Sequence, residues 1–200
     1  MSKKPQIILA SGSSIRRAIL ANAGLDFEVI RPDVDEGFIK KSAKDQGLSL
    51  EAVAMQLAEE KCMAVAKDTK GIVIGSDQIL EFEDVAYDKP LDFGEARARL
   101  LAMQGKPHTL INAIAVARDG TIIWRNIDRP KLTMRTMSEA EIDAYLAACE
   151  SDVLSSVGAY QVEKMGGRLF EKIEGDHYAV LGLSLFPLLA LLRRVEAIDF

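Results

Sequence analysis

Two hundred residues are enough to bury a sizeable core, in one large domain or one domain of two lobes. With 48% hydrophobic and 28% charged residues, the chain has the composition of a globular protein. A net charge of −5 lacks the basic footprint of a nucleic-acid binder, so no nucleic-acid polymer is expected as a partner, whereas a few local cations suffice for a small anion.

The segment "QIILA" is a short apolar run, as expected of a strand covered on both faces. Its four-residue apolar stretch is too short for the core of a signal peptide. A helix is predicted from about Ser14 to Gly24, with Ser13 or Ser14 as its cap, and "DFEVIRP" reads as a second strand. Residues 49–67 form a helix capped by Ser49, and "GIVIGSD" is another buried strand. Asp92 and Glu95 are spaced as a capping box opening a helix that stops near Gly105. A long hairpin follows, turning at Asp119-Gly120, and then a second capping box at Ser138 and Glu141 opens a helix to about Cys149. "GRLFEKIEGDHYAVLGL" is expected to hold one or two strands before a last helix to about Val195. "YAVLGLSLFPLLALL", interrupted by Ser184 and Pro187, falls short of a membrane span and reads as a buried strand entering a core helix, so no membrane is expected as a partner. Cys62 and Cys149 have no metal-ligand spacing and suit free thiols in a reducing cytoplasm. The expectation is α/β: a mixed twisted sheet in two lobes around a central cleft, with residues 1–200 as a single domain without a separable linker.

Three features point to chemistry. "SGSSIRR" turns a strand into a helix through serines, so backbone N–H groups and hydroxyls face outward at a helix N-terminus, with Arg16 in the first turn. That is an anion site, or an ordinary serine-capped helix start with solvated arginines. Lys61 stands in the apolar stripe of helix 49–67, four residues after Leu57 and four before Val65, where a lysine either snorkels or reaches into a cleft. Asp77 is placed just past the C-terminal end of a buried strand, where carboxylates of open α/β sheets hold Mg²⁺ or activate water, or where it simply caps a turn. Glu36, within "DVDE", adds a further oxygen ligand for a hard cation, and Lys89, within "DKP", a further cation. His108 and His177 form no metal or triad spacing. No Walker loop, dinucleotide fingerprint or nucleophile elbow is present. Serine donors, three cations and two acids together suit a polyphosphate with a divalent metal, which makes a nucleoside triphosphate the natural substrate class.

In this order, "LASGSSIRR", "DVDE", "AEEKCMAVA", "VIGSDQ", "DKP", "GAYQVE" and "EGDHYAVLGL" resemble the Maf proteins, a family of nucleoside triphosphate pyrophosphatases. The resemblance implies a two-lobed α/β fold related to the inosine-triphosphate pyrophosphatases, a divalent metal (Mg²⁺ or Mn²⁺), a cytoplasmic location and a homodimer. It implies cleavage between the α and β phosphates, giving a nucleoside monophosphate and pyrophosphate. By position it assigns phosphate binding to Ser11, Ser13 and Arg16 and a second lysine to Lys89. Glu36, Lys61 and Asp77 become catalytic residues, Asp77 the proton acceptor, with Asp77 and Glu36 the metal ligands. The chain departs from the frequent "S-P-R-R" at Ser14 and Ile15, from Asp-Thr at Gln78, and from Gln-Gly at Glu163-Lys164. Gln78 and Glu163, the specificity positions, resemble the 7-methyl-GTP branch, whereas Ile15 replaces that branch's tryptophan. Alternatives are a dTTP/UTP pyrophosphatase of the same family and a non-catalytic nucleotide-binding regulator of cell division.

Overall fold

The computed structural model describes residues 4–200. "IILA" forms β1 (Ile7–Ala10), fully buried, and the chain turns through Ser11-Gly12-Ser13 into α1 (Ser14–Asn22). Ser13 is the cap: its Oγ accepts from the amide of Arg16. After β2 (Glu28–Ile30) comes α2 (Glu36–Asp45), a helix that the sequence reading did not anticipate. Asp35 caps it by accepting from the amide of Phe38, so one of the "DVDE" acids is a helix start.

The helix capped by Ser49 is α3 (Leu50–Ala66), and "GIVIGSD" opens a longer strand than expected, β3 (Ile72–Phe82). A short β4 (Val85–Tyr87) precedes α4 (Phe93–Met103), where only half of the expected capping box forms. Asp92 accepts from the amide of Glu95, but the Glu95 carboxylate turns to the amide of Leu91 and to Arg99. The hairpin is β5 (Pro107–Arg118) and β6 (Thr121–Asp128), turning at Asp119-Gly120, followed by β7 (Lys131–Met134). The complete capping box at Ser138 and Glu141 opens α5 (Glu139–Cys149). Past β8 (Phe170–Glu174), the segment expected to be a strand is instead the short α6 (His177–Val180), capped by Asp176, and the chain ends in α7 (Leu185–Arg194). The Asp176 cap, which satisfies the amide of Ala179, outweighs the apolar run of "YAVLGL" that suggested a strand.

The eight strands hydrogen-bond in the order β2-β1-β3-β5-β7-β8, with β4 on β3 and β6 on β5. β1 is parallel to both neighbours, while β3–β4, β5–β6, β5–β7 and β7–β8 are antiparallel, so the sheet is mixed as expected. The chain divides into two compact units. The first comprises residues up to Gln78, Asn112–Asp128 and Gly182–Phe200, with Leu9, Leu20, Leu57, Ile72, Ile74 and Ile114 at its core. The second comprises Ile79–Ile111 and Arg129–Leu181, and is centred on Leu80, Leu100, Met103, Leu132, Ile142 and Tyr160.

Candidate active site

In the first unit, the end of the parallel strand pair organises the site. β1 pairs with β3 as far as Ala10 opposite Gly75; β1 then ends, and β3 runs on to meet β4 only at Leu80. Asp77 therefore lies within β3, not past its end, but just beyond the carboxyl end of β1 beside it. α3 reaches this point because residue 75 is glycine. A Cβ there would come within 2.4 Å of the Ala58 carbonyl and 2.6 Å of Cys62, closer than atoms pack.

That approach brings Lys61 to Asp77. The Lys61 ammonium donates to Asp77 Oδ1 at 2.6 Å and to Glu36 Oε1 at 2.8 Å, so one cation bridges two acids from β3 and α2. The Lys61 side chain is 12% exposed and that of Asp77 9%, against 45% for Glu36. The apolar stripe of α3 thus carries its lysine inward for a counterion role: before any ligand arrives, Lys61 balances the acids and is not a free positive charge.

The serine-rich turn is equally defined. Ser11 Oγ accepts from the amide of Ser13 at 3.1 Å, and the capped helix start leaves the Ser14 and Ile15 amides in the first turn, without intrahelical acceptors. Ile15 itself is half-buried and Ser11 is buried. Arg16 does not point to solvent. Its Nε donates to the Gly182 carbonyl and its Nη1 to the Ser76 carbonyl, both at 2.8 Å, with Ser11 Oγ at 3.5 Å from Nη1. Burial pulls the guanidinium pKa down, and the charges of Asp77 and Glu36 pull it back up.

The sequence reading missed the frame behind Arg16. Ser76 Oγ also donates to the Gly182 carbonyl, at 3.1 Å, and Asn112, with its nitrogen on the same carbonyl at 2.9 Å, accepts from Ser184 Oγ at 2.9 Å. Gly182 holds a φ of +100°, a conformation side chains rarely adopt, and a Cβ there would sit 3.6 Å from Arg16 Nε and 3.8 Å from Gln78 Nε2. Ser76 and Asn112 had a signal: each is a polar residue inside a buried apolar strand.

Seven candidate residues, Ser11, Ser13, Ile15, Arg16, Glu36, Lys61 and Asp77, thus lie on the first unit with Gln78. Lys89 and Glu163 are exposed residues of the second unit, the former in the loop between β4 and α4, the latter after Tyr160. His108 is buried in β5 with its Nε2 2.6 Å from the Tyr160 hydroxyl, and His177 starts α6. Among the described residues no group of three or more His, Cys, Asp or Glu side chains forms a preformed metal cage. Two carboxylates do suit Mg²⁺, which commonly takes one or two acids and completes its shell with water and substrate phosphates.

Paired acids bridged by a lysine, at the carboxyl end of a parallel strand and next to a serine-rich helix start, place the chain among α/β proteins with a polar site at a strand end. It belongs to the Maf family: the family described as Maf-like protein matches residues 6–195. It is 46% identical over 187 residues to a nucleoside triphosphate pyrophosphatase of Hyphomonas neptunium, covering 94% of each chain. It is also 46% identical to a 7-methyl-GTP pyrophosphatase of Mesorhizobium japonicum, over 97% of this chain and 98% of that one. A 7-methyl-GTP pyrophosphatase of Rhizobium meliloti is 43% identical over 98% of this chain and 99% of its own.

Proposed function

We propose that this chain is a metal-dependent nucleoside triphosphate pyrophosphatase that splits the α–β phosphoanhydride of a modified nucleotide such as 7-methyl-GTP. The observation that carries the reading is the Lys61 bridge between Glu36 and Asp77, two acids held together beside the Arg16 anchor. The names of the close relatives support the same activity and the modified guanine substrate.

Ser11, Ser13 and Arg16, with the amides opening α1, receive phosphate oxygens, and Lys89 adds a second cation. Glu36 and Asp77 hold the divalent cation, Mg²⁺ or Mn²⁺, which when bound supplies charge for the triphosphate and for the pyrophosphate that departs. Asp77 takes the proton of the attacking water at Oδ2, since its Oδ1 is engaged by Lys61. The water oxygen bonds to the α-phosphorus as the bond to the bridging oxygen breaks, which leaves a nucleoside monophosphate and pyrophosphate. Glu163 accepts the N1–H and exocyclic amino hydrogens of guanine and favours the positive charge of a 7-methylated ring, with Gln78 as the second specificity position. Facing uracil or thymine, the Glu163 carboxylate would meet carbonyl oxygens. We further propose a homodimer working in the cytoplasm. Among the described residues no helix is long and apolar enough to cross a membrane.

A panel of 7-methyl-GTP, GTP, dTTP and UTP with Mg²⁺ tests the reading through released pyrophosphate. Fastest turnover of 7-methyl-GTP is expected. Faster turnover of dTTP or UTP would contradict the base assignment, and tight binding without pyrophosphate would contradict the enzyme.

A further inference from the structure

Arg99 sits in α4 between Ala96, Leu100 and Met103, all buried, and its own side chain is 3% exposed. Its guanidinium is spread over three segments of the second unit. Nη1 donates to the carbonyls of both Asp88 and Val157, and Nη2 donates to Glu95 Oε1 at 2.7 Å. The group also lies over the Tyr87 ring, 4.9 Å from its centre, while Nε is buried without a hydrogen-bond partner. Burial pulls the pKa of this arginine down.

Such a group is expensive to place in a core, and an apolar residue would fill α4 at lower cost, so its position needs a reason. The two carbonyls it joins supply one. Asp88 directly precedes Lys89, and Val157 directly precedes the Gly158-Ala159-Tyr160 turn that leads to Glu163. That turn is strained: Ala159 has φ +58°, in the left-handed region. Nη1 grips both carbonyls, and the planar fork holds it there through Nη2 on Glu95, so a rigid group fixes the spacing of the two segments; an ammonium on lysine's shorter, flexible stem has no such tether.

We propose that Arg99 is a positioning residue for substrate binding, holding the Lys89 loop and the turn before Glu163 at the separation the nucleotide requires. This rests on the reading of Lys89 as a phosphate-binding residue. The test is a double-mutant cycle of Arg99→Met and Lys89→Ala, with Arg99→Lys alongside. It uses whichever of 7-methyl-GTP, dTTP and UTP the wild type hydrolyses fastest. Arg99→Met is expected to raise KM at least about fivefold with kcat within about twofold, the pattern of lost substrate binding. Its effect on KM is expected to be non-additive with Lys89→Ala, because the two act through one loop. Arg99→Lys keeps the charge and loses the fork, so it should not restore KM; it also decides the matter if Arg99→Met does not fold. Wild-type KM in Arg99→Lys, or strictly additive effects with a functional Lys89, would overturn this inference alone. An unchanged KM in Lys89→Ala, or no turnover of any of the three by the wild type, would overturn the site assignment and this inference with it.

Discussion

The site turns on a charge balance at single residues. Asp77 is buried, and its nearest cation, Lys61, also serves Glu36. Asp77→Asn keeps shape and removes the charge that the proposed mechanism uses for metal binding and proton transfer, so activity should fall at least about 100-fold while the fold persists. Circular dichroism beside steady-state kinetics checks both halves; an active variant would remove Asp77 from the mechanism. Lys61→Met leaves two acids facing each other with no bridge. Chemical denaturation should show a loss of about 2 kcal/mol, below the range for a fully buried pair because Glu36 is half exposed. The double variant Lys61→Met/Asp77→Asn should recover most of that loss, since the remaining acid no longer faces a like charge. A double variant as unstable as Lys61→Met alone would mean that the lysine stabilises α3 by packing instead.

Close contact between elements brings these side chains together, and here the sequence was informative only in part. The capped helices α3 and α5 and the hairpin turn were legible, because Ser49, Ser138, Glu141 and Asp119-Gly120 act through neighbours a few residues away. Lys61 was legible as an anomaly in an apolar stripe, though its two acid partners were not, since they come from other elements. Arg99 stands in the same kind of stripe, with Ala96 and Met103 on either side, and passed unnoticed. α2 was missed because its apolar face is narrow, only Ile39 and Ala43 being buried. Gly75 shows what pattern reading does not reach: its role is to let α3 approach β3, a contact between residues 13 to 17 positions apart. Gly75→Ala should push α3 away and lengthen the Lys61–Asp77 contact. A loss of about 2 kcal/mol or more is expected, typical of an overpacked core, with reduced activity. Thermal denaturation with a crystal structure of the variant checks this; an unshifted α3 with wild-type stability would refute the account of how Lys61 is placed.

At the scale of the whole molecule, one buried histidine gives stability a pH dependence. Burial lowers the His108 pKa from 6.5 to about 4. Its ring faces the Tyr160 hydroxyl, and the polar groove it lines also carries Glu81, Glu83, Asp84, Arg129 and Lys131. The unfolded chain therefore takes up the proton first. The stabilisation from keeping His108 neutral is complete above about pH 6.5 and drains away as the pH falls toward 4. Between pH 7 and 4.5 the wild type should lose about 2 to 3 kcal/mol more than His108→Leu, read from denaturant midpoints. Equal losses would show that the ring is solvated. The proposed reaction is the larger question at this scale. Turnover of 7-methyl-GTP in ¹⁸O-labelled water tests that most directly, with the label located by mass spectrometry. Water attack at the α-phosphorus predicts the label in 7-methyl-GMP and unlabelled pyrophosphate. Label in pyrophosphate, release of orthophosphate with a nucleoside diphosphate, or no turnover at all would contradict it.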